Sequence, residues 1–262
     1  MGNRVRVDLL IQGGQVVTAA HQSYPVRGRE MNELNVIDQG WVACQGDTIV
    51  GVGTQQSLES KLEITDSTRV IDATGQVVTP GLVDPHTHLI FGGSREDEFY
   101  LRAQGADYMD IMEAGGGIAS SVRATRNESL AELVESGRKR LKWMLNMGVT
   151  TVECKSGYGL DLDTELKQLE AVGILKQEQP VELVSTFLGA HAWPEEFKGN
   201  QEGYVDFLID TVLPRVKDEE LAEYVDVFTE KGVFSVEQSR RIFRKAQELG
   251  FKLRVHADEM NT

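Results

Sequence analysis

The chain has 262 residues, 40% of them hydrophobic and 26% charged, and its 41 acidic against 27 basic residues give a formal net charge of −14. That length supports one large domain or two modest ones. The acidic balance excludes a general grip on nucleic acid, whose phosphates are held by clustered Lys and Arg, and no apolar run is long enough to span a membrane.

The N-terminal stretch, MGNRVRVDLLIQGG, lacks the apolar core and cleavage site of a secretory leader, and Arg6 stands where a myristoylation signal needs a hydroxyl residue. Two cysteines, Cys44 and Cys154, are too few for a disulfide framework, so a reduced, cytoplasmic setting is expected. Through residue 79 the chain reads as short strands (VDLLIQGGQVVTA, WVACQGDTIVGVG, TRVIDATGQVV) separated by Gly, Asp and Asn turns, with a polar loop from His21 to Leu34. Residues 1–79 are expected to form a small β-rich domain.

From Val77 onward strand-like runs recur at 77–83, 149–154, 181–187, 224–228 and 251–256. Between them, apolar residues fall at three- and four-residue spacing: Leu130, Leu133, Val134, Leu141 and Leu145, then Leu166, Leu169, Val172 and Leu175, then Phe207, Leu208, Val212 and Leu213, then Ile242, Phe243, Ala246 and Leu249. Asn127-Glu128-Ser129 and Ser235 with Glu237 and Gln238 read as helix starts, and Gly250 as a stop. The connection from 84 to about 128 is long, as functional loops often are. Alternating strands and helices predict an α/β fold with parallel strands over 80–262. Five βα-type strands leave two readings: an open sheet, or the first five units of a (β/α)8 TIM-type barrel whose remaining units this sequence does not contain. The second is preferred, because it gathers the ends of the first, third and fifth strands.

Those ends carry histidine. His86 and His88 close VVTPGLVDPHTH, His191 closes VELVSTFLGAH, and His256 closes FKLRVH. Alternation along a strand puts His86 and His88 on one side. Two imidazoles at that spacing and a third from a remote strand make a transition-metal site, with zinc ligation at about 2.0 to 2.1 Å. Glu259, in His256-Ala257-Asp258-Glu259, is placed to move protons beside a metal-bound water, its structural alternative being a first-turn Glu on a helix dipole. His191 is open to three roles: a hydrogen bond to a substrate carbonyl or oxyanion, metal ligation, or a core position. Glycines flank Tyr158 in Lys155-Ser156-Gly157-Tyr158-Gly159 and let the backbone present the phenol. Arg95 offers a donor fork to a carboxylate, with a salt bridge to Glu96 or Asp97 as its bland alternative. Gly115-Gly116-Gly117 can supply amide donors or form a hinge.

Taken together, PGLVDPHTHLIFGGSREDEF, GGGIASSVRATR, ECKSGYGL, TFLGAHA, DVFTEKGVF and HADE resemble the amidohydrolase superfamily and, within it, the imidazolonepropionase family. The resemblance implies hydrolysis of the cyclic amide of 4-imidazolone-5-propanoate to N-formimidoyl-L-glutamate in histidine degradation, with one divalent or trivalent ion, zinc or iron. It implies His86, His88 and His256 as metal ligands, Arg95, Tyr158, His191, Glu259 and Tyr108 as substrate contacts, and Glu259 and His191 as the catalytic pair. It also implies a homodimer acting on a small molecule, and it makes residues 1–79 the N-terminal part of a composite β-sandwich domain. A later histidine and a last-strand aspartate ligand of the family lie beyond Thr262. Where the fourth strand of binuclear relatives carries a carboxylated lysine, Glu230 stands here, which favours a mononuclear site. The competing expectations are another mononuclear amidohydrolase, a deaminase or cyclic amidase, and an inactive fragment that only binds a ligand or partner.

Overall fold

A computed structural model describes residues 4–20, 25–105 and 116–259. The chain divides into two units, Met1–Gly81 and Leu82–Thr262.

The first unit is built on β1 (Val5–Arg6), β2 (Leu9–Val17), β3 (Val36–Gln45), β4 (Thr48–Thr54), β5 (Leu62–Glu63), β6 (Arg69–Asp72) and β7 (Val77–Val78). β3 pairs antiparallel with β2 on one side and β4 on the other, while β6 and β7 both pair in parallel with β2. β1 and β5 form a separate parallel ribbon. Leu10 and Val16 are buried on β2, and Trp41, Val42 and Ala43 are buried together on β3. Val7, Leu10, Trp41, Ala43, Leu58 and Leu62 form the core, with Leu58 supplied by a single helical turn, Gln55–Leu58, capped by Thr54. Part of the expected loop at 21–34 is a short 3-10 turn, Gly28–Asn32, and residues 21–24 lie outside the described residues.

The strand expected at 77–83 is two strands. Val77–Val78 belongs to the first sheet, whereas β8 (Leu82–Thr87) opens the second. Pro80 has no N–H to give a ladder, and the break falls there. The second sheet continues through β9 (Val149–Lys155), β10 (Glu182–Ala190), β11 (Tyr224–Val227) and β12 (Lys252–Leu253). All its pairings are parallel, and its strand order follows chain order without the reversal of a doubly wound sheet. Among the described residues β8 and β12 are its edges, and no pairing closes them into a barrel.

Helices connect these strands. Leu130–Asn146 begins at a capping box in which Ser129 and Glu132 exchange hydrogen bonds, and Val236–Glu248 begins at the same device, Ser235 with Gln238. Leu162–Glu178 is capped by the Asp161 carboxylate. The helical stretch from Gln201 to Asp218 contains a π turn, Leu208–Val212, just ahead of Pro214, which cannot donate to the Asp210 carbonyl. Two helices were not anticipated. Glu96–Ala103 and Ile118–Asn127 occupy the long first connection, and their few apolar residues hid the helical period. The apolar faces of the connecting helices pack on the sheet in two clusters, one around Phe187, Tyr204 and Phe234, the other around Leu133, Leu141 and Leu175. No helix among the described residues is long and apolar enough to cross a membrane.

Candidate metal centre

The four site histidines and Tyr158 of the second unit sit at or just past the C-terminal ends of parallel strands, where the ladder stops and side chains converge. His86 lies in β8 and His88 directly follows it, Tyr158 is in the loop after β9, His191 follows β10, and His256 bridges to Phe228 beyond β11. His86, His88 and His256 bring their ligand nitrogens within 4.8 Å of one another. The rings of His86 and His256 meet edge-on at 4.3 Å, and His88 stacks on His191 at 4.7 Å. Neutral imidazoles tolerate this crowding. Burial, aided by the neighbouring histidines, pushes His88 down to about 2 and His191 down to about 4, and burial together with His256 lowers His86.

Two ring nitrogens test whether the trio suits a metal. His88 Nδ1 and His256 Nε2 are buried and have no hydrogen-bond partner. Orphaned buried acceptors are costly unless something else completes them, and neutral imidazoles are favoured ligands of zinc and iron. His256 Nδ1 donates to Asp226 Oδ2 at 2.8 Å, which leaves Nε2 with its lone pair. The residues present therefore fit a metal ion held by His86, His88 and His256.

Beneath the histidines lies a buried charge network that the sequence reading missed. Asp226 Oδ2 also accepts from Lys155 Nζ at 2.7 Å, and Lys155 Nζ reaches Glu153 Oε1 at 2.8 Å. Glu153 Oε1 takes the Thr186 hydroxyl at 2.6 Å and lies 2.9 Å from Arg254 Nε. Burial alone would raise the Asp226 carboxyl. The hydrogen bonds from His256 and Lys155 overcome it and hold the carboxyl below its ordinary range. The fourth-strand position sought at Glu230 is thus corrected: β11 ends at Val227, and Asp226 is the residue that strand turns toward the site. Glu230 lies in the turn after it, where its carboxylate accepts from the Glu259 amide at 3.2 Å and the Lys231 amide at 3.1 Å.

A cavity of about 890 Å³ opens over the histidines and is lined by His86, His88, Arg95, Tyr158, His191, His256 and Glu259, with Trp193, Phe228 and Arg126. Tyr158 is half-buried against the rings of His88 and His191, each at 5.3 Å. Burial raises its phenol, Arg95 works against that shift and Glu259 adds to it. Arg95 pairs with Glu98 at 3.4 Å, and not with Glu96 or Asp97, its neighbours in sequence. A helix places i and i+3 side by side, which explains the choice. The helix-dipole alternative for Glu259 finds no helix within the described residues, which reach only to Glu259 itself. Gly117 gives its N–H to Glu98 at 2.8 Å, so that amide is not free for an anion, and Gly115 and Tyr108 lie outside the described residues.

His191 calls for a sharper assignment than the sequence allowed. Its Nδ1 is 2.9 Å from the Gly157 carbonyl oxygen, which can only accept. Nδ1 therefore carries the proton, and in the neutral ring Nε2 is an acceptor. Donation to an oxyanion, one of the expected roles, is open to this ring only once it is protonated, and burial opposes that.

Similarity to known proteins runs the length of the chain. Residues 69–118 match the amidohydrolase family. The chain is 52% identical to an imidazolonepropionase of Alkaliphilus metalliredigens over 97% of its own length and 60% of that protein's, and 49% identical to one from Alkaliphilus oremlandii over 94% and 58%. It thus spans about three-fifths of the curated relatives it matches. In fold it is similar to the 5-methylcytosine deaminase of Klebsiella pneumoniae, with a TM-score of 0.61 at 15% identity, over 97% of this chain and 52% of that one. Matched along nearly all of its length at about half identity, the chain is similar to these imidazolonepropionases, and it has an amidohydrolase-type α/β fold.

Proposed function

We propose that the protein containing this chain hydrolyses the ring amide of 4-imidazolone-5-propanoate to N-formimidoyl-L-glutamate, as a mononuclear metalloenzyme with zinc or iron. The observation that carries the reading is the convergence of His86, His88 and His256, two of them with orphaned buried nitrogens, under a cavity that also presents Arg95, Tyr158, His191 and Glu259. The parallel sheet with its sequential strand order is read as the first five strands of a (β/α)8 barrel, and the unit at 1–79 as part of a composite β-sandwich.

A bound ion at the three imidazoles would supply Lewis acidity and water with a pKa near about 7. The remaining work falls to side chains of the chain. Asp226 holds the His256 ring with its Nδ1 protonated, so that Nε2 faces the site, and Lys155 keeps Asp226 ionised. Glu259, at the exposed end of the cavity, takes a proton from the attacking water and returns it to the departing ring nitrogen. His191 accepts a substrate N–H at Nε2. Arg95 is half exposed and, among the described residues, pairs with Glu98 at a side-chain distance that leaves its guanidinium able to turn onto the propionate carboxylate, and Tyr158 closes one wall. Buried His191 and the half-buried His88 and Tyr158 shield that side of the site from bulk water.

The other reading of the same centre, a deaminase, requires an exocyclic amine on the ring. An absorbance assay of the metal-loaded protein on 4-imidazolone-5-propanoate, with cytosine and guanine as controls, separates the two. Loss of the imidazolone chromophore with no ammonia released is the expected result. Ammonia release, or no turnover of the imidazolone by protein carrying stoichiometric metal, rejects the proposal.

A further inference from the structure

The loop after β9 is fastened by the helix that follows it. Four consecutive amides point inward to two of that helix's side chains. Gly157 N–H donates to Glu165 Oε2 at 3.1 Å, Tyr158 N–H to Gln168 Oε1 at 3.2 Å, and the Gly159 and Leu160 amides both to Glu165 Oε1 at 2.9 Å. Glu165 and Gln168 are each 1% exposed. Gln168 Nε2 in turn donates to the Ile90 carbonyl at 2.7 Å, two residues past His88.

The two positions occupy the helix face that also buries Leu169, Val172 and Leu175, where helical period alone calls for apolar residues. A carboxylate there loses hydration, and only strong partners offset that loss. The partners are the loop amides themselves, which an apolar residue would leave buried and unpaired. The backbone has no slack. Gly157 has φ +108°, and a Cβ on it would lie 2.8 Å from the Leu188 carbonyl oxygen and 3.0 Å from His191 Nδ1. A Cβ on Gly159 would lie 2.6 Å from the Glu165 amide nitrogen, and Leu160 is itself held at φ +58°.

We propose that Glu165, assisted by Gln168, is a positioning residue for the substrate side of the site. Glu165 grips the Gly157 amide before, and the Gly159 and Leu160 amides after, the peptide whose N–H (Tyr158) Gln168 holds; fixed from both sides, that peptide aims its Gly157 carbonyl at His191 Nδ1, selects the tautomer whose Nε2 accepts from substrate, and presents Tyr158. The catalytic consequence rests on the imidazolone hydrolysis proposed above, but the tautomer does not.

The test is E165Q in the metal-loaded protein. A carboxamide must turn its NH2 toward one of the three amides, donor against donor. Nitrogen-15 NMR of the histidine rings is expected to show His191 purely as the Nδ1–H form in the parent and as a mixture of tautomers in the variant. kcat/KM for 4-imidazolone-5-propanoate is expected to fall about tenfold or more, the scale of one buried hydrogen bond left unmade. A folded E165Q with His191 unchanged overturns the proposal, whatever the activity. Absence of turnover in the parent would reject the proposed reaction, while the NMR would still decide the role of Glu165. Should E165Q fail to fold, Q168M decides. Faster hydrogen exchange at the Tyr158 amide with a lower kcat/KM supports the proposal, and parent-like values of both overturn it.

Discussion

The two units solve burial in opposite ways. In the first, the buried side chains are apolar, and Thr68, whose hydroxyl donates to the Val7 carbonyl at 2.7 Å, is the single polar exception among the described residues. In the second, Glu153, Lys155, Glu165, Gln168, His191, Asp226, Glu230 and His256 are all buried. Antiparallel hairpins with alternating faces can send every polar group to water. A parallel sheet covered by helices has no such face, so a polar residue near a strand end stays inside and needs a partner. The cost of that arrangement is tolerated where the chemistry is, and titratable clusters inside a fold point to function for this reason.

The contrast can be broken by mutation. The largest effect is expected for His256→Ala or His88→Ala, each of which removes an imidazole from the trio. Metal bound after dialysis should drop from about one ion per chain to trace, as read by elemental analysis, and turnover should fall to background. Retention of full metal by both variants would take these residues out of the centre. In the first unit, Leu10→Ala opens a cavity in the apolar core. It should cost about 2 to 5 kcal/mol in denaturant unfolding while metal content per folded chain is unchanged. A loss of metal from folded L10A would join two functions that the burial patterns separate.

Asp226→Asn tests the network beneath the histidines. His256 Nδ1 and Lys155 Nζ share Oδ2, so an asparagine oxygen can keep both bonds, but the substitution removes the negative charge that both donors face and puts an NH2 where the buried, unpartnered Oδ1 lies. Metal affinity should weaken about 10- to 100-fold by competition with a chelator, the range for partners behind a ligand. An unchanged affinity would reduce Asp226 to a packing role.

The smallest effect is in pH. His88 and His191 fold as neutral rings, lowered by burial to about 2 and about 4. In the unfolded chain they titrate near about 6.5, so below that pH the unfolded state takes up protons that the folded state refuses. Their contribution to stability is complete above about 6.5 and is lost as pH falls, that of His191 down to its folded value near 4 and that of His88 further. The metal-free protein should therefore melt at a lower temperature at pH 5 than at pH 7.5, by calorimetry. A flat profile would mean that these rings are hydrated.

How much of this was legible from residues alone follows the same divide. The histidines announced themselves because each ends an apolar run, and a titratable residue at that point breaks the pattern visibly. The partners of those histidines did not. Asp226 sits inside the strand run YVDVF, where one acid among β-branched residues reads as an outward-facing position. Lys155 closes its strand in a stretch that drew notice for its glycines and Tyr158. Glu165 and Gln168 fall three residues apart beside Leu169 and Val172, and that offset was the available signal: polar side chains on the helix face the apolar period assigns to the core. The helix Ile118–Asn127 was hidden because polar contacts fasten its last turn: Thr125 Oγ1 accepts from the Gly92 amide at 3.0 Å, Arg126 Nε donates to the Gly159 carbonyl at 2.7 Å, and Lys167 reaches the Thr125 and Arg126 carbonyls. Pairing across more than 70 residues, as between Lys155 and Asp226, leaves no local trace.

X-ray absorption at the metal edge of the purified protein tests the metal centre most directly. The expected result is one ion per chain, zinc or iron, with imidazole nitrogens in its first coordination sphere, those on zinc at about 2.0 to 2.1 Å, and with that signal lost in His88→Ala. Protein that carries no ion above trace after growth in metal-replete medium, or an ion whose sphere contains no imidazole, would contradict it.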